Sequence, residues 1–142
     1  MRLRVIWIGK TRNAAARAWS DEYLQRIRRF ARIEAEELTD RDPEATLLRR
    51  AEGARLVLLE PGGRSFDSPA FARYLEEQFA RDGREPLLAI GGAEGFSDEV
   101  RQHAQQRISL SALTFSHELA RVMLLEQIYR ACTILANHPY AK

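Results

Sequence analysis

Short apolar runs alternate along this chain with longer stretches of helical spacing. Leu3 to Ile8 is such a run; it ends at Gly9 and reads as a buried strand. Trp19, Tyr23, Leu24, Ile27 and Phe30 recur at helical intervals and predict a helix from about Arg17 to Phe30. Ile33 to Leu38 carries charges on both faces, so it is expected as a strand near a sheet edge. Asp42-Pro43-Glu44 has the chemistry of a helix start, Asp as cap and Pro in the first turn, and that helix should stop about Gly53. Leu56 to Leu59 is a second buried strand, closed by Pro61-Gly62-Gly63. Ser68-Pro69 opens a helix with Phe71, Leu75 and Phe79 on one stripe. After a turn at Asp82-Gly83, Leu87 to Ile90 makes a third buried strand, followed by Gly91-Gly92-Ala93-Glu94-Gly95. Ser97 caps a short polar helix, Ile108 to Leu110 is a very short strand, and the last helix runs from about His117 to Ala136.

This alternation predicts an α/β fold: a mostly parallel sheet with helices on both faces. No repeat, low-complexity tract or linker interrupts it, so residues 1–142 read as one domain. Ligands of such sheets bind beyond the C-terminal ends of the strands. Those ends lead here into the loops 9–13, 60–67, 91–96 and 111–116, where function is to be sought.

Composition narrows the class. With 142 residues, 45% hydrophobic and 30% charged, the profile is soluble and globular. No apolar stretch approaches the ~20 residues that span a bilayer. The apolar run Val5 to Ile8 is too short for a signal-peptide core, and the single cysteine, Cys132, suits a reducing compartment; a cytoplasmic protein is expected. The net charge of +2 hides an uneven distribution: +4 over residues 1–50, −5 over 51–100 and +3 over 101–142. Of 22 basic residues 20 are Arg, the side chain whose fork matches phosphate. The basic ends read either as a nucleic-acid footprint or as solvated helix faces.

The chemistry-bearing segments sit at the strand ends. Gly91 to Gly95 lets a backbone approach a ligand closely, but it is neither the dinucleotide fingerprint nor a P-loop. Leu110 to Phe115 is too apolar for a casual surface loop and suits an apolar-polar ligand such as an adenosine moiety, or else a buried connector. His103, His117 and His138 have no Cys or His at ligand spacing, so no metal site is expected. Glu126 and Arg130 stand four apart, as in a helical ion pair. Taken alone, the end of the chain after Asn137 reads as a frayed terminus. The last helix is apolar nearly all round, with Ala120, Leu124, Ile128, Ala131 and Leu135 on one stripe and Val122, Met123, Leu125 and Cys132 beside it. Such a helix is buried on more than one side, which favours a homodimer over a merely central helix.

Taken together, IGGAEGFS, SLSALTFSHELARVMLLEQIYRA and the terminal NHPY resemble the RlmH family, ribosomal large-subunit pseudouridine methyltransferases of the SPOUT class. Gly9-Lys10 and RLVLLEPGGRSFDSP fit as well, so the resemblance covers nearly the whole chain; residues 39–50 are shorter than it leads one to expect. It implies a trefoil knot at the C-terminal end of the sheet, a homodimer and S-adenosylmethionine as methyl donor without a metal. The donor contacts it implies are Leu59, Gly91, Leu110, Ser111, Ala112, Leu113, Thr114 and Phe115. The implied acceptor is N3 of a pseudouridine in 23S rRNA, in the 70S ribosome. Tyr140 and His138 are the implied acceptor-positioning residues, with Arg121, Arg130, Asn137 and Lys142 as RNA contacts. The chain departs from the pattern at Ala141, where the family usually has His, and at Ser116, where it commonly has Pro. Ala141 keeps a second reading open: a non-catalytic ribosome- or RNA-binding dimer of the same fold.

Overall fold

A computed structural model of the protein describes residues 1–141. Its elements are β1 (Arg2–Ile8), α1 (Ala14–Ile27), β2 (Arg32–Leu38), α2 (Pro43–Arg50), β3 (Arg55–Ser65), α3 (Ser68–Ala80), β4 (Pro86–Ile90), α4 (Asp98–His103), β5 (Gln106–Ser109) and α5 (His117–Leu135). A 3-10 turn, Pro139–Ala141, closes the described chain. The five strands form one sheet in the order β2-β1-β4-β3-β5, and every pairing is parallel. The charged strand β2 is an edge, as its pattern predicts.

Period-two side-chain alternation divides the core. Leu3, Val5 and Trp7 of β1, Val57 of β3, and Leu88 and Ile90 of β4 face α1, α3 and α5. Ile6, Leu56, Leu58, Leu87 and Ala89 face the opposite way, toward Leu47 of α2 and Val100 of α4. With both faces covered, the central strands tolerate almost no polar position, which is why they read as apolar runs.

Capping chemistry fixes the helix starts. The side chains of Asn13, Asp42, Asp67, Ser97 and Ser116 each accept from a backbone N–H in the first turn of the helix that follows. Asn13 sets the start of α1 at Ala14, earlier than the apolar spacing suggests, because the first turn is alanine and has no apolar stripe to read. The Pro61-Gly62-Gly63 segment does not close β3. The strand runs on to Ser65, with a register shift against β5 between Leu59 and Arg64. A bulge absorbs the residues that looked like a terminator. A Cβ at Gly63 would lie 2.6 Å from backbone atoms of Ile108, so only glycine lets β3 pass β5 there. Leu110, expected at the end of a strand, lies just past β5 in the loop.

Candidate functional site

Three of the four strand-end loops meet around one cavity of about 370 Å³. From β3 come Leu59, Glu60 and Pro61; from β4, Ile90 and the glycine loop; from β5, Ser109 to Ser111 and Leu113 to Phe115. His117 and Ala120 of α5 and Arg101 of α4 complete the wall. Of the donor contacts expected from sequence, Leu59, Gly91, Leu110, Ser111, Leu113, Thr114 and Phe115 line this cavity, and Ala112 does not.

Local bonding shapes the loops. Gly95 N–H donates to the Gly92 carbonyl at 3.0 Å and closes the glycine loop on itself. A Cβ at Gly91 would sit 3.0 to 3.1 Å from the backbone of Gly95, so the loop holds that curve only around a glycine. Phe96, buried in the core on the α2 and α4 side, anchors its far end. In the next loop Ser109 Oγ donates to the Ser111 carbonyl at 2.8 Å, and Leu113 N–H donates to Ser111 Oγ at 3.0 Å. These turns present mixed apolar and polar edges to the cavity.

Glu60 was not legible as a site residue. It is buried at the cavity wall and receives Arg101 Nε at 2.7 Å and an Arg107 terminal nitrogen at 3.1 Å. A buried carboxylate is sustained by such pairing. Its signal was its position, the residue directly after Leu59, but its partners come from α4 and β5 and have no sequence mark. His117, which has the look of first-turn helix chemistry, stands at the wall.

The 9–13 loop takes no part in the cavity and instead fastens α5 to the sheet. Glu118 accepts from the N–H groups of Arg12 and Asn13, both at 2.9 Å. Glu37 accepts from Trp7 Nε1 at 3.0 Å, Thr11 N–H at 3.0 Å and the Thr11 hydroxyl, with Arg17 at 3.3 Å. Burial would raise the Glu37 pKa, but these donors outweigh it and bring it down to about 2.

Arg121 corrects an expectation. It is fully buried, its guanidinium donates to the Ile8 carbonyl and Thr11 Oγ1, and it lies over the Trp7 ring at 5.6 Å. No face of it is offered to an RNA; the apolar residues around it in the sequence gave no hint of its internal acceptors.

The terminal residues gather at the other end of α5. Asn137 adopts φ 55°, and His138 N–H donates to the Thr133 carbonyl at 2.8 Å, a left-handed stop that turns the chain back. His138 meets the Phe30 ring edge-on at 5.8 Å. Tyr140 packs on Tyr129 at 4.6 Å, its hydroxyl donates to Glu126 at 3.1 Å, and Arg130 lies over its ring at 5.2 Å. Arg130 also pairs with Glu126, as the spacing predicts. Residues 137–140 are therefore packed, not frayed. None of Arg130, Asn137, His138 and Tyr140 lines the cavity. Along α5 Arg130 stands 13 residues, ~20 Å, beyond His117, and Tyr140 folds back to Glu126, nine residues from His117. Lys142 lies outside the described residues. Among the described residues no cluster of His, Cys, Asp or Glu is placed to hold a metal, and no helix is long and apolar enough to cross a membrane.

Comparison with known proteins accounts for this arrangement. Residues 1–141 match a family model described as "Predicted SPOUT methyltransferase". Two relatives named Ribosomal RNA large subunit methyltransferase H, from Trichlorobacter lovleyi and Geobacter sulfurreducens, are 45% and 44% identical, over 99% of this chain and 99% of theirs. The first alignment spans 152 positions against 142 residues, so gaps fall in this chain. Among solved structures, a "probable methylase family protein" from Haemophilus influenzae shares the fold at TM-score 0.60 and 10% identity, over 99% of this chain and 70% of that one. With a match along residues 1–141 and relatives of this identity over their full length, the chain belongs to the SPOUT methyltransferase family.

Proposed function

We propose that this protein transfers a methyl group from S-adenosylmethionine to N3 of a pseudouridine in 23S rRNA, acting as a homodimer on the assembled 70S ribosome in the cytoplasm. The observation that carries the reading is full-length similarity to relatives named for large-subunit ribosomal RNA methylation. The cavity supports the donor. Its apolar wall, free backbone edges and glycine cradle, which a Cβ at Gly91 would crowd, fit a nucleoside with an amino-acid tail.

When bound, the donor supplies an electrophilic methyl on a sulfonium sulfur. The chain's own contribution is positioning. Leu59 to Pro61 of β3 and the loops after β4 and β5 hold the donor site, and Tyr140 with His138 orients the incoming base. Burial, with Tyr23 and Glu126 alongside, pushes the Tyr140 hydroxyl above its usual range. It therefore stays protonated near neutral pH, its proton held by Glu126, and is not the acceptor of the N3 proton.

Within one chain none of Arg130, Asn137, His138 and Tyr140 lines the cavity, so in this reading the tail of one copy serves the cavity of another. The half-buried residues Val122, Met123 and Gln127 offer an α5 face for that association. Labelled S-adenosylmethionine, incubated with 70S ribosomes from a strain lacking the modification, tests the reading. Label is expected on one 3-methylpseudouridine of 23S rRNA. Donor binding without transfer would favour the non-catalytic ribosome-binding reading instead.

A further inference from the structure

Arg28 caps α1, Arg29 follows it, and Arg32 opens β2. With Phe30 and Met1 they line an open crevice of about 470 Å³ at the N-terminal ends of β1 and β2, the pole opposite the cavity. Arg2 joins them from the neighbouring strand, because the parallel register sets it directly against Arg32. All four arginines are exposed. Nearby arginines are neutralised, Arg4 by Glu85 and Arg26 by Glu22. Arg2, Arg28, Arg29 and Arg32 have no side-chain hydrogen bond or ion pair among the described residues.

Like charges set opposite one another on adjacent strands repel. The carbonyl end of α1 favours the cations at Arg28 and Arg29 but does nothing for the Arg2 and Arg32 pair. A cluster of four guanidinium groups without a counter-charge is relieved by a polyanion, and the guanidinium fork matches phosphate oxygens. Phe30 also links the crevice to the tail, since its ring meets that of His138. A backbone seated on the crevice would carry its neighbouring base toward His138 and Tyr140.

We infer that this crevice docks the phosphate backbone of the RNA substrate, next to the tail that orients the acceptor base. The inference rests on the RNA methyltransferase reading above.

The test is the triple variant Arg28→Gln, Arg29→Gln, Arg32→Gln, read by ribosome binding against salt concentration and by steady-state methyl transfer. Phosphate contacts are sequence-blind and salt-dependent, so the slope of log affinity against log salt should become shallower by about 3. KM for ribosomes should rise by about tenfold or more. The kcat at saturation and the donor affinity should hold, because only uniform substrate binding is lost. The Lys version of the same triple variant keeps the charge and should keep most of the slope, which separates charge from folding. Arg73→Gln, Arg81→Gln, Arg84→Gln removes the same charge elsewhere and should change neither slope nor KM.

An unchanged slope and KM in the first variant would overturn the docking site, as would an equal loss in the control. Wild-type protein that transfers no methyl would overturn the enzymatic reading alone. The binding arm would still decide the crevice: salt-dependent ribosome binding lost with the three arginines supports it, and equal binding refutes it.

Discussion

Arg121 of α5 donates to the hydroxyl of Thr11 at 2.9 Å, joining residues 110 positions apart. Thr11 passes the contact on to Glu37 of β2, so the last helix, the first loop and the edge strand are held as one unit. Arg121→Leu would leave the Ile8 carbonyl and Thr11 buried without that donor, at a cost of about 3 kcal/mol. Urea unfolding measures it. Arg121→Lys should recover only part of the loss, because one ammonium cannot reproduce the fork. A Leu variant as stable as wild type would remove Arg121 from the frame.

The same unit makes stability depend on acid. Glu37 titrates at about 2 in the folded chain, from an ordinary value of 4.5. A carboxyl depressed by folding stabilises fully above its unfolded pKa, and that contribution disappears as pH falls toward the folded one. Between pH 5 and 2 the free energy of unfolding should drop by up to about 3 kcal/mol from this group. In Glu37→Gln that share of the acid dependence should be missing, leaving a flatter profile over the same range.

Two glycines test two levels of the structure. Gly63→Ala places a methyl against the Ile108 backbone and should destabilise the chain by about 2 kcal/mol, read as a lower thermal midpoint. Gly91→Ala should leave folding nearly intact but deform the glycine loop, lowering S-adenosylmethionine affinity by roughly tenfold or more, or about 1.4 kcal/mol. Calorimetric titration with unchanged affinity would argue that the donor does not sit against Gly91.

Tyr140→Ala should reduce methyl transfer to ribosomes by at least about a hundredfold through lost positioning, while donor affinity stays within error. Tyr140→Phe keeps the ring on Tyr129 but loses the hydroxyl, and should fall between. Normal turnover by the Ala variant would exclude the tail from acceptor recognition.

How far the sequence foretold these features follows from where each interaction originates. Strands β1, β3 and β4 were legible because burial on both faces leaves an apolar run, and the helix caps because their chemistry is local. The cavity loops were legible from strand polarity and from the glycine and Leu110 to Phe115 segments. Glu60 and Arg121 were not, because what defines them is a partner far away: Arg101 and Arg107 for one, Ile8 and Thr11 for the other. The bulge in β3 escaped because Pro61-Gly62-Gly63 has the composition of a turn, and only the neighbouring strand decides otherwise.

The absence of the tail from its own chain's cavity has a kinetic consequence. If the base-orienting tail never reaches the donor cavity of its own molecule, a solitary molecule possesses both halves of the reaction and can join neither. Turnover per molecule would then climb with protein concentration and collapse on dilution, second order in enzyme where the pair dissociates. A mixture of two inactive proteins, one damaged at Gly91 and the other at Tyr140, would regain activity, because one mixed pair still owns an intact cavity facing an intact tail.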